Sequence, residues 1–450
     1  MTVRPEDVKL PLGRSFLYGL QHVLTMYGGI ITVPLIVGQA AGLEPSKLAV
    51  LIASTLFVGG AATVLQSWGV PFIGSQLPLV QGVSFTGVAT MLATLDGGGG
   101  LPAVFGSIIV AGLVGLVAAT FFAKIIHFFP PVVTGVVITT IGLTLMPVAA
   151  GWAMGGNAKA DDYGSTANIG LAFITFVIVI ALSKVGVEAI SRLSILIAIF
   201  IGTIVAGVLG MTDFSGVGEG AAVAGPGIFA FGAPTFKISA IISMVIVVLV
   251  TMTEATAGIL AVGTVVRTKV DSKRIADGLR ADMLSTTVAP VLNSFPQTAF
   301  AQNVGLVAIT GVKSRFVVSA AGIIMLVLGL LPVLGQVVAA IPAPVLGGAG
   351  IVLFGTVAAA GIQTLAKVDY EGKGNMNLVI VGSSLGFGMI PIAAPTLYAS
   401  LPAWFTTVFS SGISSAAVMA VVLNLLFNHL RASTPERQSA CATGSAWPAG

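Results

Sequence analysis

Fourteen apolar runs, each close to the length of a bilayer crossing, set the terms for everything else in this chain. A helix needs about 20 apolar residues to cross hydrocarbon. Runs of that kind, parted by charge or by Gly/Pro clusters, fall near 15–38, 48–68, 71–95, 102–122, 131–151, 169–183, 192–210, 239–263, 275–292, 294–312, 316–334, 337–364, 376–392 and 401–428. Of the 450 residues, 56% are hydrophobic and 8% charged, where globular proteins carry roughly 25% charge. So little charge cannot cover a water-facing surface, which excludes a soluble enzyme, a disordered scaffold and a secreted disulfide protein. Cys441, the single cysteine, has no partner for an internal disulfide.

The net charge of +4 carries topology rather than nucleic-acid binding, because the basic residues sit in separate short loops. An even number of spans puts both termini on one side. With that side cytoplasmic, 17 of the 20 Lys and Arg lie inside and only Lys47, Lys159 and Lys237 outside, as the positive-inside rule requires. Arg4, Glu6, Asp7 and Lys9 before the first run form no cleavable signal pattern. The expected organisation is an all-α multi-pass protein of the inner (cytoplasmic) membrane, lipid-embedded throughout. It comprises a cytoplasmic tail at 1–14, a first seven-span repeat at 15–210, an outer connecting loop at 211–238, a second repeat at 239–428 and a cytoplasmic tail at 429–450.

Two spans do not read as simple helices. Leu77 to Gly87 and Phe295 to Gly305 both place Pro, Gly and amide or hydroxyl side chains at membrane depth, where irregular backbone survives only if buried in protein or lining a cavity. At an offset of 218 they align Pro78 with Pro296, Ser84 with Gln302 and Gly87 with Gly305. The stretch from Pro131 to Gly135 resembles Pro344 to Gly347 at a nearly equal offset. Seven spans separate the copies, so the repeats are inverted. A single broken span reads equally as a packing kink, whereas a matched pair points to a transporter's central site.

Thirteen of the 16 acidic residues lie in loops or tails. Glu188 precedes Arg192 by four residues, a spacing that suits a structural ion pair. Glu254 sits among Thr251, Thr253 and Thr256 in a span without a basic residue, at a cost of at least ~2.5–3.5 kcal/mol. A carboxylate there can exchange a proton between the two sides and accept a heterocyclic N–H. Asp282 either joins that chemistry or snorkels to the nearby interface. His22, beside Gln21, is a candidate for proton coupling or a hydrogen-bonded spacer between helices. Three scattered His, one tail Cys and no clustered carboxylates offer no metal site, cofactor site or nucleophile–base set, so no enzyme is expected. Without a nucleotide-binding domain, transport runs on a gradient or passively.

Gln302-Asn303-Val304-Gly305-Leu306-Val307-Ala308-Ile309-Thr310 resembles the signature of the nucleobase-ascorbate transporter family. Asn293 to Thr298, the Gln21-His22 pair, Pro130 to Gly135 and Val345 to Gly348 fit the same family in the same order, so the resemblance covers nearly the whole chain. It implies a core domain moving against a gate domain, short strands in the third and tenth spans, and a homodimer. Carried over by position, Glu254 holds the base and Gln302 hydrogen-bonds it. Asp282 joins the proton network, Asn303 supports the site, Ser84 and Phe85 lend a hydroxyl and a stacking ring, and Ala301 offers backbone groups. An amide at Gln302 matches an oxopurine edge, and the subset most resembled is the bacterial urate and xanthine permeases. The implied activity is proton-coupled uptake of urate or xanthine. Gly311 departs from members with Arg or Lys there, which bears on fine selectivity. The rivals are a uracil or other nucleobase symporter, an anion carrier, which would need a cationic site, and a passive channel, which would need a continuous polar pore.

Overall fold

The computed structural model describes residues 4–122, 130–187, 190–191, 193–218, 221, 223–371, 375–398, 400–402, 405–406, 409 and 411–429, with the backbone alone for Ala301, Gln302 and Ile309. Glu188, Arg192, Lys124, His127, Lys373, Arg431, Arg437 and Cys441 lie outside the described residues.

The first half runs through α1 (Leu12–Ala40), α2 (Pro45–Trp68), strand β1 (Gln81–Val83), α3 (Val88–Asp96), α4 (Gly100–Ala119), α5 (Pro131–Thr144), α6 (Met146–Ala153), α7 (Thr166–Lys184) and α8 (Ser194–Val208). The second half answers with α9 (Ile238–Val266), α10 (Ser272–Val288), strand β2 (Gln297–Ala299), α11 (Ala301–Thr310), α12 (Arg315–Gly329), α13 (Pro332–Ala339), α14 (Ala343–Leu365), α15 (Asn377–Ala393) and α16 (Gly412–Asn424). Among the described residues, seven helical segments are long and apolar enough to cross a membrane, with α5 and α6 together forming one of them (Pro131–Ala153). Other crossings are shorter or broken: α12 and α13 meet at a 79° bend, where Pro332 denies the ladder a donor.

Packing follows the inverted repeat. α2 lies on α12 as α10 lies on α4, and α1 lies on α12 as α9 lies on α4. These elements form the core domain, while α5, α7, α8, α14, α15 and α16 pack on one another as the gate. Lipid offers no hydrophobic drive for helix association, so close contact depends on small residues. At the α2–α12 crossing a Cβ on Gly60 would stand 2.6 Å from the Gly322 carbonyl oxygen, and one on Gly322 would stand 2.8 Å from that of Gly60.

The strands form an antiparallel pair in the register Gln81–Ala299, Gly82–Thr298 and Val83–Gln297. Two more bonds extend it symmetrically: Ser84 N–H donates to Pro296 O (2.8 Å) and Phe300 N–H to Val80 O (3.0 Å). The pseudo-two-fold therefore passes between Gly82 and Thr298, an offset of 216. The motif alignment at 218 is two residues out: the counterpart of Gln302 is Thr86, not Ser84. That shift also makes Gln81 and Gln297 equivalent. Each is held by a threonine from the helix behind it. Thr63 Oγ1 accepts from Gln81 N–H (2.9 Å) and donates to Gln81 O (3.2 Å). Thr286 Oγ1 treats Gln297 the same way (3.0 and 3.4 Å). Edge groups that lipid would leave unsatisfied are closed by side chains within the core.

Candidate functional site

Where each strand ends, a half-helix begins. Ser84 is extended and its hydroxyl accepts from Thr86 N–H (3.2 Å), capping the turn Phe85–Gly87 that leads into α3. α11 starts equivalently after Phe300. Two helix N-termini thus follow the paired strands, and a helix start carries partial positive charge.

Glu254, midway along α9, meets the first of them. Thr86 Oγ1 donates to Glu254 Oε2 at 3.0 Å. The carboxylate has no ion-pair partner among the described residues and lines a narrow cleft with Val133, Thr134, Val137, Ile138 and Ile141 of α5. It therefore stands at the seam between core and gate. Phe85 reaches across the same seam, edge-on to Phe354 of α14 (6.1 Å between centroids, 77°), and Phe354 in turn meets Trp152 of α6 (6.5 Å).

The opposite side of the strand pair is filled by Phe300. Its ring lies between Gly29 of α1 and Gly82 of β1, where added Cβ atoms would approach to 2.8 and 2.5 Å. Beyond the ring, a cavity of about 260 Å³ opens between α1 and α11 of the core and α8 and α14 of the gate, walled by Thr25, Met26, Ile195, Leu353 and Thr356.

The remaining sequence candidates form two separate groups. Asn303, fully buried, bonds His22 twice through Nδ2: to ring Nδ1 (2.8 Å) and to the backbone oxygen (3.3 Å). Its Oδ1 has no partner among the described residues. Asp282 is buried rather than snorkelling to the interface. Its Oδ1 accepts from Gln66 Nε2 of α2 (3.2 Å), while Gln66 Oε1 accepts from Ser75 N–H (3.1 Å). The structure thus brings together Glu254, the start of α3 and Phe85, and keeps His22–Asn303 and Asp282–Gln66 apart as distinct pairs. The side chains of Gln302 and Ala301 lie outside the description; their backbone opens α11. Sequence reasoning missed Thr86, Gln66, Thr63 and Thr286. The repeated glutamine at 81 and 297 was the signal that would have placed Thr86 opposite Gln302.

Residues 13–397 match the Permease family (Xan_ur_permease). The xanthine permease of Bacillus subtilis (strain 168) is 40% identical, with 92% of this chain and 94% of that protein covered. The uric acid permease PucK of the same organism is 40% identical, covering 91% and 94%, and the uric acid transporter UacT of Escherichia coli (strain K12) 38%, covering 94% and 88%. Among solved structures, the transmembrane domain of the cyanobacterial bicarbonate transporter BicA superposes with a TM-score of 0.61 at 15% identity, covering 94% and 98%. The murine anion transporter Slc26a9 in its inward-facing state gives 0.62 at 13%, covering 93% and 69%. Identities this low speak to architecture, and the architecture shared is that of two inverted seven-span repeats. Matched along most of its length and built on that fold, the chain belongs to this permease family of multi-pass membrane transporters, the nucleobase-ascorbate family its motifs resemble, and is not an enzyme.

Proposed function

We propose that this permease imports an oxidised purine, urate first and xanthine second, together with a proton, across the cytoplasmic membrane. The observation that carries the reading is the bond from Thr86 to Glu254: an ionisable side chain at membrane depth, matched by a neutral hydroxyl instead of a cation. Such a carboxylate can keep its hydroxyl partner on Oε2, accept a purine N–H on its other oxygen and exchange a proton. The two half-helix N-termini favour the electron-rich carbonyl edge of the ring, and the Gln302 amide can donate and accept toward it. The names of the relatives support a purine. Glu254, Gln302, Ser84, Phe85, Ala301 and Asn303 are the proposed substrate group, with Glu254, Asp282 and His22 for the proton. Both termini are assigned to the cytoplasm on the Lys/Arg distribution, and a homodimer is proposed on the family resemblance.

The test is uptake of labelled xanthine in cells lacking their own purine permeases, with urate, uracil and ascorbate as competitors. Competition by urate, collapse on adding a protonophore and loss in Glu254→Gln are expected. Normal accumulation by Glu254→Gln would remove the carboxylate from the coupling scheme. Competition by uracil alone would transfer the reading to a uracil symporter. An anion carrier like the structural neighbours is disfavoured because no Lys or Arg occurs in Leu77 to Gly87 or Phe295 to Gly305.

A further inference from the structure

At the end of the bundle where the α2–β1 connection meets the start of α10, the chain turns sharply at Val70–Ile73, which pair with each other through their backbones. Phe72, at the tip, has φ +68°. A bulky aromatic in the left-handed region is strained, and strain of this kind concentrates at functional positions. The conformation turns the ring outward, 66% exposed. Beside it an open groove of about 570 Å³ runs along α4, lined by Ile73, Val117, Phe121 and Arg280. Val117 and Phe121 are 67% and 54% exposed, so the wall is apolar and faces outward, as an acyl-chain bed must.

A basic cluster adjoins the groove at Arg280. Lys273 and Arg280 share one carboxylate: Lys273 Nζ lies 2.9 Å from Asp277 Oδ2 and Arg280 Nη1 2.6 Å from Asp277 Oδ1. Arg280 also donates to the Phe72 carbonyl oxygen (3.4 Å), and Lys273 Nζ stands 5.6 Å from the centre of the Phe72 ring. Two cations on one acid leave a unit of positive charge where the groove, lined by Arg280, meets the adjoining cavity, lined by Lys273. Lys269, Arg4 and Arg274, with Asp271, line the adjoining cavity.

We infer that this groove binds an anionic glycerophospholipid, its phosphate on Arg280 and Lys273 and one acyl chain along Ile73, Val117 and Phe121. The charge selects the lipid and the apolar wall holds it. A zwitterionic lipid brings its own cation to the same place and gains less. The basic end is the one that the positive-inside rule assigns to the cytoplasm, where anionic headgroups attract cations. The site is remote from the strand pair and stands independently of the transported substrate.

The full-length chain, purified in neutral detergent, tests this with phosphatidylglycerol, phosphatidylcholine and soluble glycerol 3-phosphate, read by native mass spectrometry and thermal melting. Phosphatidylglycerol should be retained and raise the melting temperature, while the other two do neither. Replacing both cations, Lys273→Gln with Arg280→Gln, should weaken retention roughly twenty-fivefold, at about fivefold per cation, and Lys273→Arg should preserve it. Equal retention of phosphatidylcholine by the unaltered chain, or undiminished phosphatidylglycerol binding in the double variant, overturns the assignment. So does an equal shift with glycerol 3-phosphate alone. Should the double variant fail to fold, the three-ligand comparison on the unaltered chain still decides.

Discussion

The hydroxyl of Thr86 donates to Glu254 Oε2 at 3.0 Å, and Thr86 occupies, by the strand register, the place in the first repeat that Gln302 occupies in the second. One copy of the repeat thus carries a threonine, bonded to the acid, where the other carries a glutamine in sequence. Hydrogen bonds to charged groups are worth about 1.5–3 kcal/mol, so removing this one is measurable. Thr86→Val should raise KM for the transported purine roughly tenfold or more, since 1.4 kcal/mol is tenfold. Thr86→Ser should stay near the unaltered value. Initial uptake rates normalised to the amount of protein in the membrane measure both, and a normal KM in Thr86→Val would show that the bond is idle in transport.

Asp282 and Glu254 sit in different hydrogen-bond groups, one with Gln66 of α2 and one with Thr86. Their neutral variants should therefore differ in kind. Glu254→Gln is expected to lose both gradient-driven uptake and exchange of internal for external purine. Asp282→Asn should keep exchange and lose accumulation, the pattern of a coupling residue outside the binding group. Counterflow in proteoliposomes with and without an imposed pH gradient separates the two, and identical behaviour of the variants would merge the groups.

Phe300 fits between Gly29 and Gly82 because neither has a Cβ. Gly82→Ala places a carbon 2.5 Å from the ring, and overpacking of this sort costs about 1–3 kcal/mol. Lower melting temperature and reduced uptake are expected, with partial recovery in Gly82→Ala combined with Phe300→Leu. The double-mutant cycle is the measurement; additive effects would mean that the ring moves aside without cost.

Glu6 is fully buried and pairs with Arg274 (2.7 Å), whose guanidinium also donates to the carbonyl oxygens of Ser75 and Gln76. Asp7 pairs with Arg315 (2.6 Å), which donates to Trp68 O and Ser67 O. Two consecutive acids in the tail therefore brace the connection from α2 to β1. Removing one member of a buried pair costs about 3–5 kcal/mol. Arg274→Ala should lower the melting temperature far more than Lys269→Ala, as fluorescence-detected size exclusion after heating would show. Equal melting would mean that the brace contributes nothing.

Much of the fold is legible in the sequence alone. Apolar run length and the near-absence of charge compelled a multi-pass helical protein, because lipid tolerates no unsatisfied backbone. Pro and Gly inside two runs marked the broken spans, and the isolation of Glu254 from any cation marked the acid. Those are local properties, carried by composition over twenty or so residues. What only the tertiary structure decided is which side chains meet. Strand register depends on pairing across more than two hundred residues, and a slip of two preserves the alternation of faces, so the motif alignment could favour Ser84 where the fold selects Thr86. Likewise Asp282 is near a charged loop in sequence but buried against Gln66 in space, because α2 covers that face of α10.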